Sequence, residues 1–294
     1  MSDSTQQQHT TLQEVCNNTL KQLSSTYPIG EAQWMVRLIF EHLKGWNRVD
    51  LAIRANEPLS DFIVEKVNTI TERLLRNEPL QYILGSARFF GLNFTVNPSV
   101  LIPRPETEEL VDIIIADANN RHDLSVTDIC TGSGCIAIAL ARNLPFSSVS
   151  AIDISEDALC VARENAANNK VKINFINADA LQLPNPTKPN ADIIVSNPPY
   201  IADSERAAME PNVLDYEPHI ALFVPDSDPL RFYRAISLYA LDALHPGGKL
   251  YFEINPLFAS ELTSMLNTHG WSDIDSILDS QKKIRFIKAT APGK

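Results

Sequence analysis

Two hydrophobic rhythms divide the chain. From Thr11 to about Arg76 apolar residues recur every three or four positions. Met35, Leu38, Ile39, His42 and Leu43 share one helical face. Ile63, Val67, Ile70, Leu74 and Leu75 repeat the stripe behind Ser60, a residue suited to cap a helix. No strand pattern interrupts this stretch and glycine is scarce, so a small helical bundle is predicted. Residues 1–10 lack the rhythm and read as a disordered polar tail. Near Pro79 the texture changes. Tyr82, Ile83, Phe89, Phe90, Leu92, Phe94 and Val96 are β-formers broken by Gly85 and Gly91, which predicts strands or a hairpin. The following Leu101-Ile102-Pro103-Arg104-Pro105 cannot be helical before its second proline. Pro105 suits a first helical turn, and Glu106, Glu108 and Glu109 favour the positive end of the helix dipole; this helix is expected to run to about Asn119.

From Val126 onward short strands alternate with helices. Strands are predicted over 126–130, 148–153, 172–177, 191–196, 248–254, 272–278 and 284–289, with helices at about 134–143, 156–168, 229–243 and 257–268. Such alternation means a parallel sheet covered by helices on both faces. No helix separates the last two strands, so the final strand is expected to enter antiparallel. The fold class is therefore α/β, a mostly parallel seven-stranded sheet with a small N-terminal helical domain. The expected boundaries are 1–85 for the helical bundle, 86–104 for a β-hairpin and linker, and 105–294 for the sheet domain. No internal repeat is visible.

Charge narrows the chemistry. The 294 residues carry 25 basic and 36 acidic side chains, a net charge of −11. The first 85 residues hold 8 basic and 10 acidic residues, so the helical part is the less acidic one, yet neither part is basic. Non-specific binding to a phosphate backbone is disfavoured on that ground. Cys16, Cys130, Cys135 and Cys160 form no C-x-x-C pair and the six histidines are scattered, so no metal site is expected. The free thiols suit a reducing cytoplasm. The polar N-terminus has no apolar core of a signal peptide, and no apolar run reaches membrane-spanning length.

Three segments carry candidate chemistry, each at the end of a predicted strand. The first is Cys130-Thr131-Gly132-Ser133-Gly134, a strand that ends in a glycine turn and opens a helix. Such turns let the backbone approach a ligand closely, although an ordinary βα turn would look similar. The full G-x-G-x-x-G fingerprint is missing, since Ala137 holds the third position, and no P-loop is present. The second is Asp153, which closes the next strand and can accept hydrogen bonds from both ribose hydroxyls of an adenosine, or merely cap the following helix. Asp179, beside Ala180, closes the third strand; it either reaches the exocyclic amine of an adenine or simply ends the strand. The third is Asn197-Pro198-Pro199-Tyr200 after the fourth strand. The prolines make a rigid ledge without N–H groups. The Pro198 carbonyl and the Asn197 side-chain oxygen are two acceptors, enough for both hydrogens of one planar amino group, and Tyr200 offers a flat face beside it.

Glycine turn, acidic second-strand end and Asn-Pro-Pro-Tyr together resemble a class I, Rossmann-like methyltransferase that uses S-adenosylmethionine on a planar amino group. The chain is most similar to the PrmC/HemK family, the glutamine-N5 methyltransferases of class I peptide chain release factors. Glu78-Pro79-Leu80-Gln81-Tyr82-Ile83, Phe89-Phe90-Gly91-Leu92 and Leu101-Ile102-Pro103-Arg104-Pro105-Glu106-Thr107-Glu108 match that family, as do Tyr216-Glu217-Pro218, Gly247-Gly248, Glu253 and the pair Asp279 and Arg285. Two positions depart from it: Cys130 and Asn255 stand where glycine is usual. The resemblance implies that S-adenosylmethionine is held by Cys130, Thr131, Gly132, Ser133, Gly134, Asp153, Asp179, Ala180 and Asn197. It implies catalysis by Asn197, Pro198 and Tyr200, with substrate held by Asn197, Pro198, Pro199 and Tyr200. No His or Glu sits beside Asn197 in the sequence, so no general base is expected, with Glu217 the one carboxylate that could assist from a distance. The substrate would be the glutamine of a Gly-Gly-Gln loop, with the helical domain recognising the release factor. The protein is expected to be a cytoplasmic monomer that binds neither nucleic acid nor membrane. Alternative readings are a glutamine methyltransferase of a large-subunit ribosomal protein, an adenine-N6 nucleic-acid methyltransferase, and an inactive binding scaffold.

Overall fold

The computed structural model describes residues 10–118, 121–184, 186–187 and 189–293. Residues 1–9 of the expected tail and Asn119 lie outside the described residues. The chain divides into two compact units after Gly85.

The first unit is helical: α1 (Leu12–Leu23), α2 (Ile29–Lys44), α3 (Arg48–Ile53), α4 (Asp61–Leu74) and α5 (Leu80–Leu84). Thr11 and Glu14 close a reciprocal cap on α1. Ser60 is the N-cap residue of α4 but makes no side-chain cap bond. On α2 the buried face comprises Ala32, Met35, Val36, Ile39 and Phe40, while His42 is exposed, so the true stripe is rotated from the expected one. Tyr82 and Ile83 are helical, not extended. Pro79 opens α5, Gly85 ends it in the left-handed region at φ 67°, and Leu80 and Tyr82 are buried, so end signals and packing outweigh the β propensity of two residues.

The second unit opens with the hairpin β1 (Ser86–Phe89) and β2 (Leu92–Thr95), followed by α6 (Pro105–Ala118). Then come β3 (Ser125–Ile129), α7 (Cys135–Asn143), β4 (Ser148–Asp153), α8 (Glu156–Asn168), β5 (Ile173–Asn177) and β6 (Ala191–Ser196). A short parallel pair, β7 (Ile201–Ala202) and β8 (Phe223–Val224), encloses α9 (Pro211–Tyr216). The chain ends with α10 (Arg231–Ala243), β9 (Leu244–Glu253), α11 (Ala259–Thr268), β10 (Ser272–Leu278) and β11 (Ile284–Thr290). The seven-stranded sheet runs β10-β11-β9-β6-β3-β4-β5. Its pairs are parallel except those of β11, which is antiparallel to both β9 and β10. The fold is thus the expected α/β class with its final strand reversed. β9 starts at Leu244 rather than 248, because Leu244 pairs with Ala191 before a register break.

The central strands are buried on both faces: Ile193, Ile194 and Val195 of β6 are each at most 3% exposed. The strand order reverses beside β3, since β4 and β5 lie on one side of it and β6 and β9 on the other. In open α/β sheets ligands bind outside the carboxyl ends of the strands at such a switch point.

Candidate active site

The residues after β3 must turn sharply to start α7. Cys130, Gly132 and Gly134 all lie in the left-handed region, at φ 64°, 53° and 80°. Cys130 therefore occupies a conformation that glycine adopts without strain, which explains the usual residue there. At Gly134 space as well as angle demands glycine: a Cβ would stand 3.1 Å from the Ala162 Cβ and 3.2 Å from the Ile138 Cδ1. Beneath the turn lies Asp128, fully buried. Its Oδ2 accepts from the Thr131 hydroxyl at 2.6 Å and from the Ala137 N–H at 3.2 Å, stitching the turn to the first turn of α7. Burial pushes the Asp128 carboxyl up to about 7 despite these bonds. Burial also raises the Cys130 thiol far above its ordinary value.

Asp153 ends β4 facing the same turn. Its Oδ2 accepts from the Gly132 N–H at 2.8 Å and its Oδ1 from the Ser155 N–H at 2.9 Å. Each oxygen keeps lone-pair capacity for a further donor. Burial raises its carboxyl, opposed by those backbone bonds. Asp179 lies two residues beyond β5 rather than closing it, and its Oδ1 accepts from the Leu181 N–H at 2.9 Å. Asn165 of α8 holds the hairpin to the turn: it exchanges hydrogen bonds with the Thr95 backbone and donates to the Ser133 carbonyl at 3.0 Å.

These groups converge on a cavity of about 340 Å³, within the ordinary range for small-ligand sites. Its lining includes Cys130, Thr131, Gly132, Ser133, Asp153, Asp179 and Ala180 together with Arg104, Thr107, Asn197, Pro199, Ile220 and Phe232. Gly134 does not line it and instead lets α7 and α8 approach. Pro198 is buried and lies outside this lining. Tyr200 faces an adjoining cavity of about 140 Å³ that shares Asn197, Arg104 and Leu101 with the first. The donor set fits S-adenosylmethionine: a carboxylate able to take ribose hydroxyls, turn residues that line the cavity, and apolar lining at Ile152, Ile154 and Leu181 for a flat ring.

The acceptor side holds groups, Glu253 and Thr107, that the sequence marked as family matches without giving them a role in the site. Glu253 at the end of β9 is 2% exposed and accepts from the Thr107 hydroxyl at 2.7 Å and the Tyr200 hydroxyl at 3.1 Å. Asn197 in turn donates through Nδ2 to Thr107 Oγ1 at 3.4 Å. A glutamate thus stands two hydrogen bonds from Asn197, although none neighbours it in the sequence. Burial raises the Glu253 carboxyl, opposed by the two hydroxyl donors and the charge of Arg285. Asn255 donates to the Tyr200 carbonyl at 3.2 Å and to Glu205 at 2.8 Å, so this non-glycine residue braces the ledge. Glu217, with its side chain 1% exposed, is ion-paired with Arg104 and accepts from the Ile102 N–H at 3.2 Å. It therefore shapes the Leu101–Pro105 wall. The Asp279–Arg285 pair closes at 3.2 Å. Among the described residues no cluster of His, Cys, Asp and Glu is suited to a metal ion, and no helix is long and apolar enough to cross a membrane.

A seven-stranded sheet with one reversed strand, a glycine turn, an acid at the second strand end and an Asn-Pro-Pro-Tyr ledge define a class I S-adenosylmethionine-dependent methyltransferase. A methyltransferase structure from Pyrococcus furiosus shares the fold, with a TM-score of 0.51 at 18% identity over 76% of this chain and 99% of its own. Residues 107–214 match the methyltransferase small domain and residues 14–85 the PrmC N-terminal domain. A release factor glutamine methyltransferase of Bacteroides thetaiotaomicron is 44% identical over 267 residues, 91% of this chain and 95% of that protein. One from Flavobacterium psychrophilum is 43% identical over 90% of this chain and 94% of its own. The chain belongs to the release factor glutamine methyltransferase family.

Proposed function

We propose that the chain methylates the side-chain amide nitrogen, N5, of the glutamine in the Gly-Gly-Gln loop of a class I peptide chain release factor. The observation that carries this reading is Asn197, which stands on the wall shared by the two cavities with Pro199 and Tyr200 beside it. S-adenosylmethionine, when bound, supplies a sulfonium methyl group activated toward nucleophilic attack. Cys130 to Gly132 and Ser133 would hold its polar tail, Asp153 its ribose hydroxyls, and Asp179 and Ala180 its base, while Gly134 sets the turn.

An amide nitrogen is a weak nucleophile because its lone pair is shared with the carbonyl, so the enzyme's task is alignment. Asn197 Oδ1 and the Pro198 carbonyl each accept one N–H of the glutamine amide. That grip turns the nitrogen lone pair toward the wall at residues 130–133 and stabilises the positive charge that grows on nitrogen during attack. The proton then shed passes to water. Glu217 has no part in its removal on this reading, because both of its oxygens are engaged with Arg104 and Ile102. The Tyr200 ring flanks the amide while its hydroxyl is anchored on Glu253.

The helical unit, residues 1–85, serves recognition of the release factor, with 86–104 as hairpin and linker and 105–294 as the catalytic domain. The protein acts as a cytoplasmic monomer. Incubation of purified protein with S-adenosylmethionine and an intact release factor should add the mass of one methyl group to the Gly-Gly-Gln peptide. An unmodified peptide, or methylated adenine in DNA offered alongside, would overturn the assignment.

A further inference from the structure

A primary amide has two faces of opposite polarity, and only one serves this chemistry. If Asn197 presents Oδ1 to the acceptor glutamine it accepts an N–H; if it presents Nδ2, donor meets donor and the grip fails. The two orientations have nearly the same shape, so shape alone does not choose between them. Hydrogen-bond direction does.

Glu253 sets that direction. Both its oxygens accept from hydroxyl donors: Tyr200 at 3.1 Å to Oε1 and Thr107 at 2.7 Å to Oε2. The Thr107 hydroxyl has one hydrogen, and Glu253 takes it. Thr107 Oγ1 is left to accept, and what it accepts from is Asn197 Nδ2, at 3.4 Å. Thr107 is held in the first turn of α6 and is 2% exposed, and Glu253 is 2% exposed at the end of β9, so solvent has little access to either group of the relay.

We propose that Glu253 and Thr107 are positioning residues that lock the Asn197 amide with Oδ1 toward the substrate. This rests on the glutamine-methylating role of Asn197 given above. The polarity of a three-residue chain would then select an acceptor that offers two N–H groups, and would do so without touching the substrate.

The test compares Thr107→Val, which keeps the shape and removes the hydroxyl, with Thr107→Ser, which keeps the hydroxyl. Transfer to a Gly-Gly-Gln peptide is measured at saturating S-adenosylmethionine, and thermal melting checks that each variant is folded. Thr107→Val should lower kcat roughly tenfold to hundredfold, as loss of an outer partner does elsewhere, with S-adenosylmethionine affinity by titration calorimetry unchanged. Thr107→Ser should restore most of it. A second readout needs no turnover: the Asn197 side-chain NH₂ resonances, assigned by their loss in Asn197→Asp, should exchange with solvent slowly in the parent and faster in Thr107→Val. Unchanged kcat in Thr107→Val overturns the proposal, as does an equal loss in both variants, or identical exchange of the Asn197 amide in parent and Thr107→Val. A parent protein that leaves the peptide unmethylated defeats the functional reading instead, and the exchange measurement still decides whether Thr107 orients Asn197.

Discussion

Asn197 and Asp128 show how much rests on single side chains here. Asn197 is half-buried at the meeting of two cavities, so its removal should spare the cofactor wall and strike the acceptor grip. Asn197→Ala is expected to lower single-turnover methyl transfer roughly 10²–10³-fold, about 3–4 kcal/mol, while S-adenosylmethionine affinity measured by titration calorimetry stays near that of the parent. Near-normal transfer in that variant would contradict the ledge. Asp128 predicts a pH effect on stability. Its carboxyl is pushed up to about 7 in the fold and its Oδ1 has no hydrogen-bond partner, so the folded protein retains a proton that the unfolded chain releases near 4. The stability tied to this group is complete below the unfolded carboxylate value and is lost as pH rises through about 7, at up to about 1.4 kcal/mol per pH unit. Urea melts between about pH 5 and about pH 8 should show a shallower decline in Asp128→Asn than in the parent; parallel slopes would refute the assignment. The turn residues and the ledge were legible in the sequence because their chemistry is local. Glu253 and Thr107 were not legible as a unit, since their hydrogen bond joins positions 146 apart and no local pattern records it.

Among the elements, the seven strands could be read to within a residue or two at most ends, because β-branched runs such as Ile193-Ile194-Val195 are buried on both faces and bounded by turn residues. The reversal of β11 was equally legible, as β10 and β11 are separated by only five residues. The two-residue strands β7 and β8 and the six-residue α9 carry too little periodicity to be seen, and α5 was obscured by aromatic and β-branched residues inside a five-residue helix. The α7–α8 contact yields its own prediction. Gly134→Ala would force a side chain into the left-handed region and bring its Cβ to 3.1 Å from Ala162. A loss of about 1–3 kcal/mol in denaturant midpoint measurements is expected, with S-adenosylmethionine binding weakened as the turn shifts. The same turn already bears Cys130 at φ 64°, so a variant with parental stability would mean that the turn absorbs a second such residue without cost.

At the scale of the whole molecule, the division after Gly85 separates all the proposed chemistry from the helical unit. That unit has its own core, built on residues such as Leu12, Ile39, Phe40, Val67 and Leu74, and its near-neutral charge gives it little hold on a phosphate backbone. A chain starting at Ser86 should still bind S-adenosylmethionine, because the sheet has a separate core. It should methylate a short Gly-Gly-Gln peptide far better than an intact release factor, relative to the full chain, once circular dichroism has shown the truncated protein to be folded. Equal rates on the intact factor would remove the recognition role from the helices. Within the remaining unit, the lining of the main cavity comes from two sets of chain segments. One set lies between Cys130 and Leu181, and the other combines residues 99–107 with 197–232. Heritable change can therefore fall on one set of segments and spare the other. A duplicated gene that drifts only in the segment from Ile201 to Val224 would keep its inherited methyl-donor cradle while acquiring a new protein client.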